Sequence, residues 1–200
     1  MKYLKMFGLA AVAAAAVTAA VGAGSASATV LCNNTTTFCT VKYVAPTGVE
    51  GTLIGSSVLE VAGSINECSE STFEGEIEKN GSETETFTVK LTKWTWNCKV
   101  KNTKTIANGM FEVHHINTTD NGTVTEIGTE TTTEVGGATC TYGTGVGIDL
   151  GTFVGGNNPI LTVSVKIKKT AGGMLCPTEP TWTAEYKIAR PTAPLWIEPK

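Results

Sequence analysis

The chain has 200 residues, 41% hydrophobic and 16% charged, with 15 lysines and arginines against 18 aspartates and glutamates and a net charge of −3. That balance argues against a nucleic-acid or anionic-lipid binding surface, which needs clustered cations, and Arg190 is the single arginine. The two histidines, His114 and His115, are neighbours, so any histidine-based metal or catalytic site runs through one short segment.

At the start of the chain, Lys2 and Lys5 precede an Ala/Val-rich run from Phe7 to Val21, and Ala26-Ser27-Ala28 fits the small-x-small rule for cleavage of an export signal. Residues 1–28 therefore read as a signal peptide and residues 29–200 as a single secreted domain. A membrane-spanning helix would need roughly 20 apolar residues and more leucine and isoleucine than this stretch contains. Cys32 follows Val30-Leu31 rather than a small residue, which argues against lipid anchoring, and the closing "RPTAPLWIEPK" carries neither an apolar tail nor a sorting signal. Loss of Lys2 and Lys5 takes 15 basic residues to 13 against 18 acidic ones, a net charge of −5. The expectation is an extracellular protein with no membrane span after signal removal and no nucleic-acid partner.

All six cysteines, Cys32, Cys39, Cys68, Cys98, Cys140 and Cys176, lie beyond the cleavage point. An even set in an exported chain reads as disulfides, whereas zinc would call for C-x-x-C or histidine spacings that do not occur. Sequential pairing, 32 with 39, 68 with 98 and 140 with 176, closes local loops and suits a chain of hairpins.

A remaining domain of about 170 residues is long enough to bury roughly 70% of its unfolded surface. Threonine occupies 34 of the 200 positions, glycine 22 and proline 7, a strand-and-turn composition with no convincing helix after the signal. Turn signals follow in order at Asn80-Gly81, Asn108-Gly109, Asn121-Gly122, Gly136-Gly137 and the "GGNNP" stretch from Gly155 to Pro159. Between them polarity alternates. Phe87, Val89 and Leu91 share one phase while Trp94, Trp96, Cys98 and Val100 share the other, which predicts a bulge or bend near Thr92-Lys93. Leu161, Val163, Val165 and Ile167 oppose Thr162, Ser164, Lys166 and Lys168, and Trp182, Ala184, Tyr186 and Ile188 oppose Thr181, Thr183, Glu185 and Lys187. The fold class expected is all-β, an antiparallel β-sandwich or partly open barrel built from hairpins and stabilised by disulfides.

In "FEVHHIN" successive side chains of a strand point to opposite faces, so His114 and His115 do not chelate one ion. Phe111 and Val113 put His115 on the buried side, and Glu112 puts His114 on the wet one. The two aspartates, Asp120 and Asp149, complete no nucleophilic trio. The stretch "SESTFEGEIEKNGSE" aligns Glu70, Glu74, Glu76 and Glu78 opposite Phe73 and Ile77, with alternate carboxylates roughly 6.5 to 7 Å apart, inside the glycosidase range. "GEIEKNG" resembles the E-x-D-x-x-E signature of a sandwich-fold glycosidase family, but Glu78 replaces the aspartate, Lys79 a usual apolar residue and Gly81 the acid/base glutamate. A solvated outer face or a calcium site are the other readings of this stripe. The threonine ladders Thr84, Thr86, Thr88 and Thr129, Thr131, Thr133 lack a repeat of fixed period, and the second, flanked by Glu130 and Glu134, is expected at an exposed sheet edge.

Across nearly the whole length, the ordered pieces "ASATVLC", "ECSEST", "CTYGTG", "LGTFVGG", "LCPTEPTWTAEY" and "PTAPLW" resemble a group of uncharacterised secreted, disulfide-containing proteins of soil actinobacteria of the solirubrobacterial type. The resemblance brings no activity, catalytic residue or cofactor, and Trp94 and Trp96 stand outside its pattern. The expected protein is therefore non-catalytic, with a structural, adhesive or cell-envelope role and no metal or cofactor. The alternative is a glycan-binding module stacking cell-wall or extracellular polysaccharide on Trp94 and Trp96, with a glycosidase on the Glu74–Glu78 stripe third.

Overall fold

The computed structural model describes residues 29–33, 39–61, 64–82, 85–100, 102–116, 121–192 and 194–199. The expected signal segment 1–28 lies outside the described residues, as do Thr84, Lys101, Asn117 and Asp120. The described chain is strands and turns: β1 (Thr29–Cys32), β2 (Gly48–Val61), β3 (Ser64–Asn80), β4 (Phe87–Cys98), β5 (Lys104–Ala107), β6 (Met110–His115) and β7 (Asn121–Ile127). The second half adds β8 (Glu130–Val135), β9 (Ala138–Gly143), β10 (Ile148–Val154), β11 (Ile160–Lys166), β12 (Lys168–Ala171), β13 (Thr181–Arg190) and β14 (Trp196–Pro199).

Eight of these strands hydrogen-bond in a ring, β10-β11-β13-β2-β3-β4-β6-β7, with every neighbour antiparallel. The ring follows chain order, so each strand pairs with the next barrel strand and β13 returns to β2. The remaining short strands leave the ring at one end. β5 interrupts the β4 to β6 passage, β8 and β9 the β7 to β10 passage, and β12 the β11 to β13 passage, and together they form a second sheet, β12-β9-β8-β5. At the opposite end β1 and β14 pair as a two-stranded cap. Asn80 binds this cap through its side chain: Leu31 N donates to Asn80 Oδ1 at 2.7 Å, and Asn80 Nδ2 donates to Leu31 O at 2.9 Å.

The expected alternation is realised. Leu161 and Val163 on β11, and Trp182, Ala184, Tyr186 and Ile188 on β13, point inward and are buried. On β4 the pairing jumps from Glu74↔Lys93 to Gly75↔Leu91, leaving Thr92 as the extra residue, so the bulge sits at Thr92-Lys93 and Trp94 returns to the inside. The core is strongly aromatic. Phe73 lies 5.5 Å from Trp94, 5.3 Å from Phe111 and 5.3 Å from Tyr186, centroid to centroid. Gly51 makes room for this cluster, because a Cβ there would sit 2.2 Å from the Phe73 ring.

Disulfides join Cys32 to Cys39, Cys68 to Cys98 and Cys140 to Cys176, the sequential pattern. The second links directly opposed residues of β3 and β4, and the third ties β9 to the segment after β12. Gly136 and Gly137, at φ of 57° and 81°, form the two-residue β8–β9 hairpin turn with Val135 opposite Ala138.

Two expectations are corrected. Asn121-Gly122 is not a turn: both residues open β7, with Asn121 opposite Val154 and Gly122 opposite His115, because the β6–β7 reversal falls before them. The Thr131–Thr133 segment is not a sheet edge. β8 is flanked by β5 and β9, and its hydroxyls find partners in Thr103 and Asn66 (Thr133), Thr105 (Thr131) and the Lys104 carbonyl (Thr132), which is what burial of threonine requires.

The inner and outer faces of the β3–β4 hairpin should respond differently to substitution. Trp94→Ala removes a buried ring and is expected to cost about 3 to 5 kcal/mol in urea unfolding. Glu76→Gln and Glu78→Gln alter the exposed face and should stay within about 0.5 kcal/mol. Comparable losses on both faces would contradict this inside-out assignment.

Candidate binding cavity

Where the ring meets the second sheet, the barrel interior is incompletely filled. A cavity of about 60 Å³ lies between β2, β3, β4, β7 and β13 of the ring and β8 and β9 above it. An eight-stranded ring is just wide enough either to be filled by side chains or to hold one small ligand, and here the two halves differ. The half beneath the β1–β14 cap holds a smaller space of about 40 Å³ lined by apolar side chains, including Leu31, Phe111, Val113, Phe153 and Leu195. The half beneath the second sheet is lined by tryptophans and hydroxyl groups.

Trp94, Trp96 and Trp182 form one wall. Trp94 and Trp96 project from the same face of β4 and stack at 5.3 Å with 9° between planes, while Trp182 meets Trp96 edge-on at 5.8 Å. Trp94 is 5% exposed and Trp96 half-buried. Each indole N–H is already engaged: Trp94 donates to Ser71 Oγ at 3.0 Å, Trp182 to Ser57 Oγ at 3.0 Å and Trp96 to Thr105 Oγ1 at 2.9 Å. These bonds fix the rings and leave carbon and π surface, without a donor, toward the cavity.

Asn66 and the threonines form a second wall. Asn66 Nδ2 donates to Thr133 Oγ1 at 2.9 Å and to Thr103 Oγ1 at 3.0 Å, and its Oδ1 accepts from Val100 N at 3.2 Å. Thr103 and Thr133 also share a hydroxyl contact of 2.9 Å.

The third wall carries Glu126, Thr129 and Tyr142. Glu126 follows Gly122 and Val124 on the inward phase of β7 and is 1% exposed. Its Oε1, Thr129 Oγ1 and the Tyr142 hydroxyl are buried without a hydrogen-bond partner, three orphaned polar atoms around one small cavity. Among the described residues no lysine, arginine or histidine lines the cavity to balance the carboxyl. Burial therefore pushes the Glu126 carboxyl up to about 8; the Thr129 hydroxyl beside it offsets a little of this rise without the geometry of a full hydrogen bond. Burial also raises the Tyr142 and Tyr186 phenols, and Tyr186 exchanges a hydrogen bond of 3.0 Å with Ser71 Oγ.

The other residues singled out by the sequence lie elsewhere. His114 Nε2 stands 3.8 Å from Glu112 Oε2 on the outer face of β6, and His115 occupies the next, opposite position. Glu74 pairs with Lys93 Nζ at 3.0 Å and Glu70 accepts from Asn97 Nδ2 at 3.1 Å, while Glu76 and Glu78 are exposed. This stripe thus lies on the outer wall, with Glu76 opposite Lys90. Among the described residues, no group of three His, Cys, Asp or Glu converges as a metal site.

Sequence reasoning missed Glu126, Tyr142 and Trp182 as cavity residues. Alternation along β13 places Trp182 on the inner face without indicating that it meets Trp94 and Trp96. For Glu126 the available signal was its phase: two positions after Val124, on the side that Gly122 and Val124 turn inward. No known protein family, curated protein or solved structure matches this chain.

Glu126 should make stability depend on pH in a defined direction. The folded chain holds this proton to about pH 8, whereas the unfolded chain releases it near 4.5, so unfolding releases a proton in that window. The contribution of Glu126 to stability is greatest below 4.5 and falls as pH rises toward 8, by roughly 1.4 kcal/mol per unit. Glu126→Gln keeps the shape and removes the titration. In urea unfolding, wild type is expected to lose stability relative to this variant across that range and level off above it; parallel profiles would show that the carboxyl is not isolated from charge.

Proposed function

We propose that this protein is a non-catalytic binding barrel that holds a small ligand, or the end of a larger one, in the cavity beside Glu126. The observation that carries this reading is the convergence of three orphaned buried polar atoms, those of Glu126, Thr129 and Tyr142, on a cavity whose aromatic wall is already fixed by its own hydrogen bonds. A site of this kind, mostly aromatic with a few polar groups, is what orienting a small molecule requires. The half-buried Trp96, Thr103 and Thr131 form its rim.

The other function readings fit the geometry less well. Polysaccharide lying along Trp94 and Trp96 would require both faces open, yet Trp94 is buried and stacked on Trp96, so a sugar partner would enter as a chain end. Hydrolysis on the Glu74–Glu78 stripe would require a cleft and a proton donor, and these side chains face outward beside lysines. A purely structural role would leave the polar cavity without a purpose. Export to an oxidising compartment belongs to the proposal, supported by three disulfides that would be reduced in the cytosol.

The indole resonances provide a built-in control. Trp94, Trp96 and Trp182 line the cavity, whereas Trp196 lies on β14 in the opposite cap and packs near Gly156. Titration with a panel of small amines, alcohols and monosaccharides, followed through ¹⁵N–¹H indole signals, is expected to move the first three with at least one class while leaving Trp196 in place. Absence of any saturable shift at millimolar concentrations, or an equal response of Trp196, would refute the binding reading.

A further inference from the structure

The polar character of the cavity is lopsided, and the imbalance indicates the chemistry of its occupant. The three indole N–H groups point to Ser71, Thr105 and Ser57 in the wall, and both amide hydrogens of Asn66 are taken by Thr133 and Thr103. What remains toward the space is one carboxyl, the two neutral hydroxyls of Thr129 and Tyr142, and aromatic π surface, with no charged donor among the described lining residues. Among the described residues no cationic side chain lines the cavity, so an ionised Glu126 has no counter-charge from them.

Resting on the binding reading above, we propose that the occupant presents a small organic ammonium group to this cavity, held by the Glu126 carboxylate and the tryptophan wall. An ammonium group supplies what the site lacks on both counts. It neutralises a buried carboxylate that otherwise has no partner, and it is attracted to the electron-rich indole faces, an interaction that strengthens when both sides are desolvated. A neutral polyol would satisfy the hydroxyl groups but would leave the carboxyl uncompensated on ionisation. An anion would meet the Glu126 carboxyl with only neutral hydroxyl donors, and no cation among the described lining residues, to offset the repulsion. The small volume limits what is buried to a methylated or primary ammonium head, with any longer remainder passing the rim at Trp96, Thr103 and Thr131.

The arrangement makes binding release a proton. The empty site keeps Glu126 protonated up to about pH 8, so cation entry below that value must expel the proton. The other titratable groups facing it are Tyr142 on β9 and Tyr186 on β13, whose hydroxyls are raised further from neutrality by burial. The pH dependence in this range therefore belongs to Glu126.

The probes are choline and 3,3-dimethyl-1-butanol, its uncharged isostere, titrated into the full oxidised chain at constant ionic strength and followed by the indole resonances. The expected result is saturable binding of choline, with affinity rising about tenfold per pH unit from 6 to 8 and levelling above. The isostere should bind at least tenfold more weakly and without pH dependence. Glu126→Gln, with its indole dispersion intact, should reduce choline to the level of the isostere and flatten the profile; Tyr142→Phe, which keeps the carboxyl, should retain the slope. Isostere binding as tight as choline's, undiminished choline binding by Glu126→Gln, or a flat wild-type profile would overturn the ammonium assignment. Choline failing while neutral members of the panel bind would remove this inference and leave the cavity reading standing. Failure of every probe would remove both.

Discussion

Closing eight strands into one ring limits the width of the interior, and the rest of the molecule follows from how that width is occupied. Side chains from facing strands must meet near the axis, so each inward position is constrained by those across from it. Phe73, Trp94, Phe111 and Tyr186 meet there in mutually tilted or edge-on contacts. Space for them is made by Gly51, whose missing side chain admits the Phe73 ring, and by the bulge at Thr92, which turns Trp94 inward. This aromatic layer divides the barrel into two unequal compartments.

One compartment is completed by apolar residues and the β1–β14 cap; the other is completed by strands inserted between barrel strands. The second sheet is built from four strands supplied by three excursions at the same end of the ring, and β8 and β9 bring threonines and Tyr142 over the opening. Threonine satisfies both demands of that position. Its branched side chain suits a strand, and its hydroxyl can pair within a polar interior, as Thr103 and Thr133 do with Asn66. Cys68–Cys98 and Cys140–Cys176 fasten the two sides of this end covalently, one within the barrel wall and one within the covering sheet.

Glu126 is the exception to the packing logic of the barrel, and its cost is what supports the binding role proposed for the cavity. A carboxyl in a tryptophan-lined cavity with no cation among the described lining residues lowers stability wherever it must ionise, and an aliphatic residue at that position would fill the same space without this penalty. Perturbed ionisable groups of this kind concentrate at sites that bind or react. The enclosing hydroxyls and fixed indoles make Glu126 the polar focus of a prearranged cavity, and the outer-face glutamates, which have lysine partners and solvent, carry no such penalty.

The sequence by itself determined the all-β class, the disulfide partners and the inward faces of β4, β11 and β13. Each depends on local pattern: period-two alternation, a phase change at Thr92-Lys93 and cysteines close enough along the chain to pair between adjacent hairpins. Trp94 and Trp96 were legible as one stripe for the same reason. Local pattern misled at Asn121-Gly122, where a turn-like dipeptide begins a strand, and at Thr131–Thr133, where polar residues on both faces suggested an edge. Only the tertiary structure decided that the strands close into a ring, that β8 becomes an interior strand beneath a polar interface, and that Trp182 and Tyr142 join Trp94 and Trp96 around Glu126. The physical reason is that strand periodicity specifies which face a residue occupies but not which distant strand stands opposite it, and a cavity exists only through that opposition.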